Sequence, residues 1–483
     1  TGTIQAFGGS GIINGERGGA GTIFLKQDTQ TYGNLTIDNN KNAGANTTIH
    51  ADQQLTYESI NLTGSAKLKI NNTNITTTTF LVTSSATLIL TDNVNLTINN
   101  GNLTLDSSTL VVNSFNILNI TNLIIRSSST ITNNGNLTPT NLDLRTSSSI
   151  TNNGNLTINS YISESTTTVT NNANGLITFP SSTFTINNTF TNRGSLTTIG
   201  GSSSSLIIDS TGKLAQDSKL NLSTLTIKSN GTLTHSANSN TQIYTMNITA
   251  INLTIEYNGK INVTEKGYTG GGYSEAGNGP GGAQARSGSA VAGSGAGYGG
   301  MGGNGGSDTG KAGSSYGSIT APTNLGSGGG GGDVAGGNGG GVIFLNITDT
   351  LNVTGNLIAI GGNGVDATDA GGAGSGGSIY IVTSNFIGNG TINALGGSGG
   401  DGGFSDSGGG GAGGRIAVYY TTKSYTGTIQ AFGGSGIING EDGGAGTIFL
   451  KQDTQTYGNL TINNGGNSGA NTTIHADQQL TYE

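Results

Sequence analysis

The sequence predicts an all-β chain wound as a parallel β-solenoid, a stack of short strands rather than a closed globule. Three observations carry the prediction. Residues 1–58 return as residues 426–483 at a constant offset of 425, with 53 identities in 58 and no gap, and self-similarity at a fixed period marks repeat architecture. Inside that long period runs a short one: Ile131-Thr-Asn-Asn-Gly135-Asn-Leu137-Thr recurs as Ile150-Thr-Asn-Asn-Gly154-Asn-Leu156-Thr, 19 positions on. Apolar residues also alternate at a spacing of two, as Leu-x-Ile and Leu-x-Leu, which is strand rather than helix periodicity.

The long repeat differs at five places only: Arg17 to Asp442, Asp38 to Asn463, Asn40 to Gly465, Lys41 to Gly466 and Ala43 to Ser468. No Leu, Ile or Phe changes. A period of 425 far exceeds one solenoid coil, so a whole module is repeated. Glu58 runs into Ser59-Ile60-Asn61-Leu62 without a break in pattern. The stretch therefore reads as a window onto a longer polypeptide, with position 484 onward expected to resemble Ser59 onward.

Composition narrows the class. Glycine supplies 88 of 483 residues, Pro only four, Cys and Trp none, and charged residues 9%. Scarce helix formers and abundant Thr, Ile, Val and Tyr favour strands. The net charge of −8 comes without a basic stripe, which argues against nucleic-acid binding. No apolar run approaches the roughly 18 residues of a membrane helix. Without cysteine there is no disulfide framework, which is compatible with an extracellular protein that relies on hydrogen bonds.

Two textures alternate along the chain. Residues 1–26 close a Gly-rich segment, residues 27–266 are Thr/Asn-rich, residues 267–450 are Gly-rich, and residues 451–483 open the next Thr/Asn-rich stretch. In the first texture the 19-residue mark continues through Val169-Thr-Asn-Asn and Phe190-Thr-Asn-Arg-Gly194-Ser-Leu196, then Gly212-Lys-Leu214 and Gly231-Thr-Leu233. Upstream, Ala66-Lys-Leu68, Ala86-Thr-Leu88 and Gly101-Asn-Leu103 carry the same mark. Asn and Gly are expected to supply left-handed turns, and coils to stack about 4.8 Å apart through backbone hydrogen bonds. Ordering one coil costs more than its own core returns, so neighbours must complete it. A β-sandwich, the alternative, would show hairpins and uneven strand spacing.

The Gly-rich texture repeats too. Ala359-Ile-Gly-Gly-Asn-Gly, Ala394-Leu-Gly-Gly-Ser-Gly and Ala431-Phe-Gly-Gly-Ser-Gly lie 35 and 37 apart, each leading through a Gly-rich loop to a strand such as Gly377-Ser-Ile-Tyr-Ile-Val382. This half is expected to coil with loops hung on each turn. The longest, about 267–341, carries Tyr268, Tyr273, Tyr298 and Tyr316 among glycines. Packed glycine strands anchored by tyrosine are its ordered possibility.

The Asn-x-Gly-x-Leu coils resemble the repeats of filamentous-haemagglutinin and autotransporter-type bacterial adhesins. The segment Gly-Gly-Arg-Ile-Ala-Val-Tyr-Tyr at 413–420 resembles Gly-rich parts of very large microbial surface proteins. The resemblance implies a right-handed parallel β-helix, secretion and a place in a long surface fibre.

Chemical motifs are sparse. Roughly twenty Asn-x-Ser/Thr sequons occur, glycosylation candidates by pattern: among them Asn34, Asn61, Asn74, Asn102, Asn136, Asn155, Asn247, Asn262, Asn346, Asn352 and Asn389. An Asn- and Thr-rich chain also produces them by chance. Thr76 to Thr79 and Thr166 to Thr168 are O-glycosylation candidates or simply solvent-facing strand residues. Gly361-Gly-Asn-Gly-Val-Asp366 and Gly396-Gly-Ser-Gly-Gly-Asp401 approach a calcium nonapeptide, yet Thr368 and Gly403 stand where a large apolar residue belongs and no tandem copy adjoins. Asp366, Asp369, Asp401 and Asp406 read first as solubilising loop carboxylates. The histidines His50, His235 and His475 form no triad with Ser and Asp. No catalytic residue and no cofactor is expected.

The expected function is structural: a repeat module of an extracellular microbial filament or surface fibre. Its partners would be copies of itself end to end or adjacent repeats of the same chain, with glycans on its polar surface. About twenty coils per period would make a module roughly 70 to 100 Å long. The alternative is the stalk of a large cell-surface adhesin, and after it a carbohydrate-active β-helix enzyme. Ice or glycan binding by flat threonine arrays would need a regular Thr-x-Thr face, which the sequence spacing does not display.

Overall fold

The computed structural model describes residues 3–10, 16–50, 55–91, 93–114, 116–179, 183–198, 205–284, 291–307, 311–403 and 406–474. The regular elements among them are strands, and no helix occurs among the described residues. They divide into two compact units, residues 1–205 with 211–213 and residues 206–210 with 214–483. The strands form large, mostly parallel sheets, the architecture of a β-solenoid.

In the first unit each coil presents three inward-facing pairs. Thr130–Asn133 points Ile131 and Asn133 inward; Asn136–Leu144 points Leu137 and Pro139 inward, then Leu142 and Leu144. Each pair stacks on its counterpart one coil away. Ile131 sits between Leu110 and Ile150, Leu137 between Leu118 and Leu156, and Leu142 beside Leu123. The small-x-Leu mark in the sequence therefore covers three different columns. Leu68 and Leu88 lead to the column of Ile131, while Leu103 stacks on Leu123 in the third. Nothing in the mark itself distinguishes one face of the coil from another.

Left-handed φ falls at asparagine and glycine, as expected, at Asn40, Gly64, Asn72, Asn93, Asn230 and Asn258, and also at a serine- and threonine-rich corner, at Ser84, Ser85, Ser127, Ser128, Thr146 and Ser147 among others. The first Asn of the Asn-Asn pair ends a strand instead. Asn133, Asn152, Asn171 and Asn192 are fully buried. The amide of each of the first three donates to the carbonyl oxygen of the next at 2.7 Å. A primary amide both donates and accepts, so identical residues stacked at strand spacing satisfy one another. These amides also reach the backbone: Asn152 Nδ2 donates to Gly154 O and Leu176 O. Asn134, Asn153 and Asn172 form a second, half-buried ladder beside the first.

In the second unit Met246–Ile255, Val342–Val353, Ser378–Ile387, Arg415–Lys423 and Thr447–Gln452 pair in parallel order. Ile343, Ile379 and Ile416 make a fully buried column. Between these strands the glycine runs expected as loops form an ordered body. Gly371, Gly374 and Gly377 donate to Val365, Gly362 and Ala359; Ala370, Ala373 and Gly376 donate to Asp406, Gly409 and Ala412; Gly372 and Ser375 donate to Gly330 and Ser327. One run thus bonds in three directions with a period of three. Three residues per turn without internal hydrogen bonds is polyproline-II geometry. Segment 326–332 repeats the pattern toward 334–340 and 275–278. Glycine is required by proximity: a Cβ on Gly374 would lie 2.0 Å from Asn338 O, and one on Gly411 2.0 Å from Gly374 O.

Tyrosine anchors the long glycine segment. Tyr298 and Tyr316 pack with ring centroids 4.7 Å apart, and Tyr316 Oη bonds Ser327 Oγ at 2.8 Å. Burial pushes both phenols above their ordinary pKa. Arg415, also fully buried, donates to Tyr316 O, Tyr298 O and Thr447 Oγ1 and lies 5.6 Å from the Tyr298 ring centroid.

Two pairs of substitutions test these contacts. Asn152→Ala removes one ladder bond each from buried Asn133 and Asn171 and frees the carbonyls of Gly154 and Leu176, and should cost about 2 to 4 kcal/mol, with hydrogen exchange accelerated in the flanking coils, whereas Asn153→Ala should cost under about 1 kcal/mol. Gly411→Ala should destabilise by about 1 to 3 kcal/mol through overpacking, while Gly9→Ala, where a Cβ meets nothing within 4 Å, should leave the melting temperature unchanged.

Candidate functional site

The feature of most functional interest is the duplicated segment, because the structure describes most of both copies. Each forms an antiparallel hairpin in the same register. Ile23 faces Thr36, Phe24 faces Leu35 and Leu25 faces Asn34; Ile448, Phe449 and Leu450 face Thr461, Leu460 and Asn459. The supporting bonds recur one for one. Asn39 Oδ1 accepts from Gly8 N as Asn464 Oδ1 does from Gly433 N. The Phe24 ring lies over Gly33 as that of Phe449 does over Gly458. Two of the five substitutions have a backbone reason. Asn40 and Lys41 have φ of 49° and 63°, and their counterparts Gly465 and Gly466 have 64° and 95°, a region glycine enters without steric cost.

The copies differ in what covers them. In the first, Ile4, Phe24 and Leu25 are 64%, 43% and 54% exposed, while Leu35, Ile37 and Ile49 are buried against the following coils. In the second the pattern reverses. Phe449 is only 3% exposed, yet Ile462 and Ile474 are 43% and 38% exposed. The cover on the second copy is the Arg415–Lys423 strand together with Ile319, Ala417 and Tyr419. Segment 301–304 adds backbone bonds: Met301 N to Asn471 O, Gly444 N to Met301 O and Glu441 N to Asn304 O.

The hairpin also exchanges the faces of the sheet. Phe449 aligns with Ala417 and Tyr380, on the face opposite the Ile343–Ile379–Ile416 column, and Leu460 packs on that same side. Its counterpart Leu35 heads the inward column Leu35–Ile60–Phe80 of the first unit.

The remaining candidates are scattered. Of the sequon asparagines, Asn74, Asn102, Asn155 and Asn389 are exposed; Asn34, Asn61, Asn136, Asn247, Asn262, Asn346 and Asn352 are half-buried. Asn61 and Asn247 each bury an Oδ1 without a hydrogen-bond partner. Thr78, Thr79, Thr166 and Thr168 face solvent, whereas Thr77 and Thr167 are buried. Asp366 and Asp401 occupy matching positions 35 residues apart, and each accepts a backbone N–H, from Asp401 and Gly403 respectively. Asp406 accepts from Ser307 and Asn439, and Asp369 is buried beside it in a parallel bridge. Among the described residues no group of three His, Asp or Glu side chains suits a metal ion. His50 is exposed, and His475 lies outside the described residues.

One array escaped the sequence. Thr130 and Thr132, Ser149 and Thr151, Thr168 and Thr170, and Thr189 and Thr191 stack in register on the outward face of four successive strands. Steps of 19, 19 and 21 residues conceal the alignment.

His235 is fully buried. Val342 N donates to Nε2 and Nδ1 lies 2.7 Å from Ser236 O, so the ring proton sits on Nδ1. Burial lowers its pKa from 6.5 to about 4, against the opposing effect of the Ser236 bond. Between those values the unfolded chain binds a proton that the folded chain refuses. The stability contribution is therefore complete above pH 6.5 and declines as pH falls toward 4, by about 3 kcal/mol. Denaturant midpoints measured across that interval should fall for the parent chain and flatten for His235→Gln.

No protein-family model matches the chain, and no curated protein matches it. The parallel β-solenoid implied by the adhesin-like coils agrees with the strand pairing.

Proposed function

We propose that this chain is a structural repeat module of an extracellular microbial filament or surface fibre, wound in right-handed coils. The observation that carries the reading is the 53-in-58 repeat at an offset of 425, whose two copies fold into the same hairpin in the same register beside stacked parallel coils. Stacked coils of this kind complete one another, because an open strand edge invites pairing. The polar, weakly charged surface suits lateral packing, and the exposed sequons Asn74, Asn102, Asn155 and Asn389 are its proposed glycan sites.

Secreted material examined by negative-stain electron microscopy should show uniform thin filaments with an axial repeat near one module length. A population of discrete particles of single-chain mass would count against the reading.

A further inference from the structure

We propose that the Asn278–Gly279 step is a site of spontaneous deamidation, at which Asn278 converts to aspartate or isoaspartate and loosens the edge of the glycine body. This holds whether or not the chain builds a fibre.

Asn-Gly steps recur along the chain, and asparagine is among the thermally labile side chains. The reaction needs a free glycine nitrogen, because that nitrogen attacks the asparagine Cγ. In the coils and the glycine body the nitrogen is engaged. Gly154, Gly231, Gly259, Gly339, Gly364 and Gly390 each donate N–H to a backbone oxygen, and Gly305 donates to Ser294 Oγ at 3.0 Å. Gly279 differs. Its oxygen accepts from Gly282 N, yet its N–H meets no acceptor among the described residues. Its φ of 96° lies in a region that glycine enters without steric cost. Asn278 and Gly279 are half-buried and Pro280 is exposed, so water reaches the step.

The Gly279 nitrogen forms a bond to Asn278 Cγ, the bond from Cγ to Nδ2 breaks, and ammonia leaves with the proton from Gly279. Water then opens the cyclic imide at one of its two carbonyls, giving aspartate or isoaspartate. Either product disturbs the packing. Asn278 Nδ2 donates to Thr269 Oγ1 at 2.9 Å and to Thr269 O at 3.3 Å. An ionised carboxylate only accepts, so the bond to Thr269 O is lost and two oxygens face each other. Isoaspartate also adds a methylene to the main chain where space is short: a Cβ on Gly277 would lie 1.9 Å from Gly328 O. The bonds of Asn278 N to Thr269 O, Gly277 N to Ala283 O and Gly328 N to Asn278 O hold this edge to its neighbours, and they are the ones loosened.

The chain carries its own control. Cleavage after Lys266, Arg286 and Lys311 releases peptides 267–286 and 287–311, each with a single asparagine, Asn278 and Asn304, in the same Gly-Asn-Gly setting. The full chain is aged in mildly alkaline buffer, digested with trypsin and followed by mass spectrometry. In the folded chain peptide 267–286 should gain the mass of an amide-to-acid exchange about tenfold faster than 287–311, the scale of one hydrogen bond that must first be broken. In denaturant the two should convert at similar rates. Ser294→Ala releases the Gly305 N–H and should speed conversion at Asn304 in the folded chain. Asn278→Asp, which reproduces one product, should accelerate hydrogen exchange at the Gly277 and Asn278 amides. Equal rates in the folded chain, or a difference that persists in denaturant, would overturn the site. Conversion at Asn304 indifferent to Ser294→Ala would overturn the role given to the glycine N–H, and unchanged exchange in Asn278→Asp would overturn the loosening.

Discussion

Hydrogen bonding between successive coils is the constraint on which the rest of the molecule depends. Once the backbone of one coil pairs in register with the next, every side chain lies above its counterpart at strand spacing. Residues that tolerate their own kind are then favoured. Leu and Ile stack into inward columns, buried Asn satisfies buried Asn, and Thr lies on Thr outside. Like charges stacked in the same way repel, which accounts for a chain with only 9% charged residues. Arg126 meets the opposite charge of Asp106 at 3.1 Å one coil away, whereas the stacked pairs Asp366–Asp401 and Asp369–Asp406 engage backbone or side-chain N–H and O–H groups instead.

The glycine body answers the same constraint with backbone alone. Without side chains a run can approach others closely and bond to three neighbours, so its cohesion comes from peptide groups rather than from apolar burial. Such a lattice needs fixing at points where larger groups interrupt it. Tyr298, Tyr316 and Arg415 provide one such point, and His235, accepting the amide of Val342, provides another.

Much of the coil was legible in the sequence, because side chains carried its period. Ile131, Ile150, Val169 and Phe190 announced one column through their spacing, and the structure stacks them in that order. Of the glycine body only the packing of glycine segments around tyrosine was legible; its three-residue period was not, since that period resides in N–H and C=O groups that every residue shares. Asn and Gly read as turn formers, which Asn72, Asn93 and Gly64 are; only the third dimension shows that Asn133, Asn152, Asn171 and Asn192 meet inside. The threonine face was hidden by unequal steps that loops absorb between strands. At the duplicated segment the sequence showed identity, while the shared hairpin register required coordinates.

The antiparallel hairpin has a geometric corollary. The other pairings among the described strands are parallel, so there the direction of travel within a sheet reverses only at this hairpin and its copy. Because Leu460 lies on the side of Phe449, the returning strand carries its apolar residue on the face opposite the Ile343–Ile379–Ile416 column, whereas the matching Leu35 lies in an inward column of its own sheet. One hairpin register thus serves two different surroundings.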